Sequence, residues 1–388
     1  MSALRPPRLR TASSADDRSA TWLELFYDLV FVVAVAALGH RLLVDHSLQG
    51  IAIFAALFVP LWWSWAGFTF YADRYDTDDL GQRLLAVAQM VAIALMAASM
   101  SGDSADSTTA FAVWYLAARA VLLVMYLRAY RHVEATRTLV AGYLRGFTIG
   151  AIPWAISIWV PEPWRYVLWG LGLAIDFATP WIMRRAQANA PLSLSHLPER
   201  FGLFTILVLG ESIAAVVAGI SSVGWEMNAT VGAALGVVTA TGLWWLYFDN
   251  LEGSVVRRVR SKMRAWRPTV WIYIHLPLAI GLTASGIGLE FLVAQEGPDL
   301  RWIAIGGIAV ALISMSVIHI ATVSDDQRMG HIQTWIRAAS ATIVVLIGFI
   351  SSGWTSNAIL AALAVVCFAQ IGIELILQEQ VPTTQVTA

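Results

Sequence analysis

Apolar stretches of about twenty residues follow one another along nearly the whole chain, and this pattern sets what the chain can fold into. They lie near 22–44, 49–71, 82–100, 108–129, 138–160, 164–182, 200–222, 228–248, 268–295, 301–323, 334–352 and 355–377. At about 1.5 Å per residue, each is long enough as a helix to cross a hydrocarbon layer about 30 Å thick. Each is too long for a barrel strand and lacks strict alternation, whereas a helix closes its backbone hydrogen bonds within the segment. The expected fold is all-α, a polytopic transmembrane helical bundle of about twelve spans. With 58% hydrophobic and 13% charged residues, the chain has too little charge to cover a soluble surface. Its lone cysteine, Cys367, excludes an internal disulfide, and a net charge of −1 argues against a nucleic-acid partner.

Basic residues give the bundle a sidedness. The first 21 residues carry Arg5, Arg8, Arg10 and Arg18 without the apolar core of a cleaved signal peptide, and read as a disordered cytoplasmic tail. A transmembrane domain over 22–377 follows, then a C-terminal cytoplasmic tail over 378–388. Alternating loops place 21 Lys and Arg on one side and three on the other (Arg41, Arg165 and Arg301), with Arg119 left inside a span. The positive-inside rule puts the rich side, and both termini, in the cytoplasm.

Gly142, Gly146 and Gly150, and likewise Gly232 and Gly236, recur every four residues and predict close helix contacts. A two-halves repeat over 22–182 and 196–377 is a second expectation. Spans 1 and 7 open alike at Glu24-Leu25-Phe26 and Glu199-Arg200-Phe201. Spans 2 and 8 end alike, with Trp62, Trp63, Trp65 and Asp73 in one and Trp244, Trp245 and Asp249 in the other. Six spans separate each pair, so the halves would be parallel, with a site between them.

Ionisable groups at membrane depth are costly and usually face a cavity or a partner. Glu24 and Asp28, four apart, share one helical face; Glu24 is expected at the interface and Asp28 one turn deeper. Arg119, centred in its span, needs an anion, with Glu211 the first choice and Asp28 and Asp176 behind it. These five form the expected proton, ion or substrate pathway, and a purely structural ion pair is the competing reading. The tryptophans Trp62, Trp63, Trp65, Trp244 and Trp245 would wall it. His40, His275 and His319 show no metal-ligand spacing, so no metal and no cofactor is assigned. Glu290 and Glu374, near span ends, are expected to reach toward water. Acids at Asp73 and Asp76, and at Asp249 and Glu252, are spaced to hold Mg²⁺ against a phosphate, although solvated loops need no such role.

Three segments resemble the bacterial low-temperature-requirement A family. They are Thr21-Trp22-Leu23-Glu24-Leu25-Phe26-Tyr27-Asp28-Leu29-Val30-Phe31-Val32, the run Trp62-Trp63-Ser64-Trp65, and His196-Leu197-Pro198-Glu199-Arg200-Phe201-Gly202-Leu203 running on to Gly210-Glu211-Ser212. The resemblance spans about 22 to 377 and implies a bacterial inner membrane but no established reaction. It puts weight on Glu24, Asp28, His196, Glu199, Arg200, Gly210 and Glu211. His196, Glu199 and Arg200 would form a gate or a helix start.

Three functions stay open. One is a transporter or permease for a small solute or ion, with proton coupling through Asp28 and Glu211. A second is an intramembrane enzyme acting on a lipid or isoprenoid. The third is a non-catalytic sensor or assembly component. The expected partners are the bilayer and a small molecule or ion.

Overall fold

The computed structural model describes residues 5–10, 20–76, 79–100, 105–187, 190, 192–193, 196–249, 267–322 and 328–379. Among them run twelve long helices, one for each apolar stretch. They are α1 (Trp22–Val44), α2 (Leu48–Arg74), α3 (Leu80–Ser99), α4 (Ala105–His132), α5 (Arg137–Ser157) and α6 (Trp164–Ile182), then α7 (His196–Val223), α8 (Met227–Phe248), α9 (Arg267–Val293), α10 (Arg301–Thr322), α11 (Arg328–Ile350) and α12 (Ser356–Glu379). Eleven are long and apolar enough to cross a membrane. The exception is α6, whose aliphatic content is diluted by Arg165, Tyr166, Asp176 and the tryptophans Trp164, Trp169 and Trp181. The chain is an integral membrane protein built of helices.

The helices fall into two compact units. The first comprises residues 1–41 and 52–203, and the second residues 42–51 and 204–388. In the first, the aromatic side chains Trp62, Trp63, Trp65, Tyr71, Tyr126 and Trp154 are fully buried. In the second, α9 and α10 are the most enclosed helices, packed around Leu282, Leu289, Ile305 and Leu312.

Small residues set how closely helices approach. In the first unit a Cβ on Gly142, Gly146 or Gly150 would run into Met183, Thr179 or Asp176, so the expected glycine ridge of α5 lies against α6 and the residue after it. In the second unit the closest approach joins α9 and α10. A Cβ on Gly307 would overlap the backbone at Ser285 and lie 2.7 Å from the Gly281 carbonyl oxygen. Backbone cannot yield as a flexible side chain does, so Gly307→Ala should cost about 1–3 kcal/mol of stability. Thermal unfolding in detergent checks this, and an unchanged melting temperature would refute the backbone-to-backbone contact.

Part of the N-terminal segment, expected to be disordered, is placed. Arg8 and Leu9 pair antiparallel with Tyr75 and Asp76, and the Arg10 amide donates to the Arg74 carbonyl at 3.0 Å. Asp79 anchors this short strap. It caps α3 by accepting from the Gln82 amide at 2.9 Å, and it also accepts from the Arg5 amide at 3.1 Å and from Arg128 at 2.9 Å. Burial alone would raise the Asp79 carboxyl, but the Gln82 and Arg5 amides and the Arg128 guanidinium together hold it below the ordinary carboxylate range. A depressed carboxyl stabilises the fold above its unfolded value and loses that contribution as pH falls through its folded value. Asp79→Ala should therefore cost about 0.5–2 kcal/mol at neutral pH and free residues 5–10. Amide exchange of Leu9 and Arg10 would rise in the variant, and an unchanged rate would show that the strap is held by other contacts.

Candidate functional site: a buried charge cluster

The first helix begins with a capping box. The Thr21 amide and hydroxyl both donate to Glu24 Oε2 at 2.8 Å, while the Glu24 amide donates to Thr21 Oγ1 at 3.3 Å. Glu24 and Asp28 then face inward, four residues apart. Glu24 is 3% exposed. Its side chain turns toward nitrogens of α7 rather than toward water.

Asp28 is fully buried and shared between two helices. Its Oδ1 accepts from Trp65 Nε1 of α2 at 2.8 Å and from Arg200 Nη2 of α7 at 2.6 Å. Arg200, also fully buried, brings Nη1 within 4.0 Å of Glu24 Oε1. One turn earlier on α7, His196 bonds through Nδ1 to Asp73 Oδ1 at 2.9 Å, and its Nε2 lies 3.7 Å from Glu24 Oε2. An ionised carboxylate only accepts, so Nδ1 carries the hydrogen. Asp73 is fixed in turn by the Ser193 amide, which donates to Oδ2 at 2.7 Å, and Ser193 Oγ accepts from the His196 amide at 3.1 Å. Arg74, beside Asp73, donates to the Ala190 carbonyl at 3.1 Å. Aromatic rings close the cluster: Tyr27 stacks on Phe68 at 3.8 Å, and Trp65 meets Phe201 edge-on at 4.9 Å.

Several valences stay open inside. Asp28 Oδ2, His196 Nε2, and Nε and Nη1 of Arg200 are buried without a hydrogen-bond partner. The buried groups Glu24, Asp28 and Asp73 set three carboxylates against the guanidiniums of Arg74 and Arg200. Counted over these described buried groups alone, neutral His196 leaves one negative charge over and imidazolium balances the set. Uncompensated charge is expensive away from water, so this arrangement favours taking up one proton.

The other expected residues fall elsewhere. Arg119 does not depend on Glu211: its Nη2 donates to Asp176 Oδ2 at 2.7 Å and to the Tyr115 hydroxyl at 2.6 Å, and Tyr115 donates to Asp176 at 2.9 Å. The guanidinium also lies over the Phe147 ring at 5.0 Å. Glu211 lies on α7 in the second unit and is half-buried. Trp62, Trp63 and Trp65 are buried, whereas Trp244 and Trp245 are 44% and 38% exposed. Glu199 accepts from the Ala20 amide at 3.1 Å, holding the chain ahead of α1 instead of forming part of the buried cluster.

Both oxygens of Asp73 are occupied by His196 and Ser193, Asp76 pairs through its backbone with Arg8, and Asp249 ends α8. The rest of the second loop, with Glu252, lies outside the described residues. Among the described residues no three His, Cys, Asp or Glu side chains are gathered to hold a metal.

The family comparison falls on the same residues. The profile of the bacterial low temperature requirement A protein (LtrA) family matches residues 19–371. The chain belongs to the LtrA family. An uncharacterized protein of Rhizobium meliloti (strain 1021) is 30% identical over 299 residues, spanning 73% of this chain and 71% of its own length. The three segments whose resemblance to LtrA proteins is legible in sequence meet in one cluster: Glu24 and Asp28 from the first, Trp65 from the second, His196 and Arg200 from the third.

Sequence reasoning missed two groupings. Asp73 reads in sequence as a loop acid, although its place at the end of α2 lets it reach His196. In the second unit Arg337 and Glu374 form a buried two-point ion pair at 3.0 and 2.7 Å, joined by Gln370 at 2.9 Å. Glu374 is thus no snorkelling residue. No spacing rule links two residues on different helices, so neither grouping had a sequence signal.

Proposed function

We propose that this LtrA protein is a proton-linked transporter or permease for a small solute or ion. It would sit in a bacterial plasma membrane with both termini in the cytoplasm, the orientation favoured by the loop charge asymmetry. The observation that carries the reading is the cluster around Arg200, whose buried charges are left one proton short of balance while Asp28, His196 and Arg200 keep open valences. Such groups inside a helical bundle mark ion and proton paths. Asp28, Arg200 and His196 are the working groups, and Trp62, Trp63 and Trp65 form the wall. The Arg119–Asp176 pair, closed by Tyr115, is a pin between helices.

An imposed pH gradient across liposomes holding the protein tests this, with a dye inside and the potential clamped by potassium and valinomycin. Wild type should dissipate the gradient. Asp28→Asn should slow it about tenfold or more, as expected for loss of one charge-assisted hydrogen bond. Equal rates in the two proteins, or none in wild type, would overturn the reading.

A further inference from the structure

His196 is held so that only one of its nitrogens can exchange a proton. Its Nδ1–H is committed to Asp73 Oδ1 at 2.9 Å, and Asp73 is pinned by the Ser193 amide at 2.7 Å. The ring cannot turn over without breaking this bond, so the lone pair stays on Nε2. That nitrogen is buried, has no hydrogen-bond partner and stands 3.7 Å from Glu24 Oε2. The same Glu24 oxygen is drawn the other way by Thr21, whose amide and hydroxyl each donate at 2.8 Å. Glu24 Oε1 lies 4.0 Å from Arg200 Nη1, another buried nitrogen without a hydrogen-bond partner. Glu24 therefore stands between two sets of donors, and a shift of about 1 Å carries it from one to the other.

The charged groups around His196 come from three helices. Glu24 and Asp28 belong to α1, and Asp73 and Arg74 to the end of α2. Arg200 follows on α7 itself, with Glu199 turned to the Ala20 amide. An added positive charge at Nε2 completes the balance of the buried groups and attracts the nearest mobile carboxylate. Asp73 is already spent on Nδ1 and Ser193, and Asp28 on Arg200 and Trp65. Glu24, which caps its own helix, is the carboxylate 3.7 Å from Nε2.

We propose that His196 takes up the exchangeable proton on Nε2 and that Glu24 answers by leaving Thr21 for the imidazolium, so that loading the proton loosens the start of α1. A hydronium ion gives up the proton, its O–H bond breaking to leave water as an N–H bond forms at the Nε2 lone pair, and release reverses the step; Nδ1 keeps its hydrogen, bonded to Asp73. This rests on the proton-linked reading of the cluster. It gives Asp73 the part of a positioning residue and Glu24 that of the moving element.

Nitrogen-15 NMR of the full-length protein, histidine-labelled and held in lipid nanodiscs, tests both parts. The chain has seven histidines, and His196→Gln identifies the signal of interest. The expected result is an Nδ1–H tautomer that becomes doubly protonated between about pH 8 and 5. Amide exchange at Thr21, corrected for its intrinsic pH dependence, should rise several-fold over the same range. Glu24→Gln should keep the nitrogen transition and abolish the change in exchange. Asp73→Asn should lose the fixed tautomer. A His196 ring that stays neutral down to about pH 5 would overturn the assignment. So would a protonated ring with unchanged exchange at Thr21. Protonation of His196 in a protein that moves no protons into liposomes would sink the transport reading alone. Flux without protonation of His196 would sink this assignment alone.

Discussion

Exchanging Arg200 for alanine is expected to destabilise the protein by about 3–5 kcal/mol, because it leaves a buried carboxylate without its counter-charge. Asp28 is fully buried, and after the loss of Arg200 it keeps the Trp65 Nε1 donor at 2.8 Å. Glu24 loses a nearby cation at the same time. The penalty comes from stranding the acid more than from losing the bond itself. Adding Asp28→Asn to Arg200→Ala should therefore recover much of it, and the two single changes should fail to add by about 0.5–3 kcal/mol. Unfolding by heat or by SDS titration in mixed micelles measures this. A cost of Arg200→Ala below about 1 kcal/mol would mean that Asp28 is solvated and the cluster is not a buried ion site.

The Arg119–Asp176 pair should show the same sensitivity when broken and a different outcome when replaced whole. Asp176→Ala strands Arg119, which is 4% exposed, and should cost about 3–5 kcal/mol. An apolar set of similar volume removes every charge and every stranded bond at once: Tyr115→Phe, Arg119→Met and Asp176→Leu together. Buried ion pairs often tolerate this, so the triple variant should lie within about 1.5 kcal/mol of wild type. Tyr115 must change too, since its hydroxyl accepts from Arg119 and donates to Asp176. A triple variant as unstable as Asp176→Ala would show that the site needs polar groups for a reason other than pinning α4 to α6.

The spans are legible because apolar length is a local property: every one of the twelve helices coincides with a predominantly apolar stretch. Even α6, the least apolar, coincides with the stretch at 164–182. The glycine ridge of α5 was legible for the same reason, since a spacing of four puts residues on one face. The cluster was legible only in part. The i, i+4 spacing placed Glu24 and Asp28 together, but which helix supplies their cation is a matter of tertiary packing. Charge bookkeeping suggested Glu211 for Arg119, and the structure gives Asp176. Asp73 looked like a loop acid because sequence cannot show that α2 ends beside the start of α7. The contact between α9 and α10 at Gly307 escaped notice because it rests on backbone, not on a repeat of side chains.

Side-by-side proton flux of two variants tests most directly whether the Arg200 cluster is the working site. One is Asp28→Asn; the other is the triple variant Tyr115→Phe, Arg119→Met, Asp176→Leu. Both would be reconstituted at equal density into liposomes with an internal pH dye. The expected result is that the triple variant keeps flux close to wild type while Asp28→Asn loses about tenfold or more. Flux lost in the triple variant and kept in Asp28→Asn would contradict it, and would move the working site to Arg119 and Asp176.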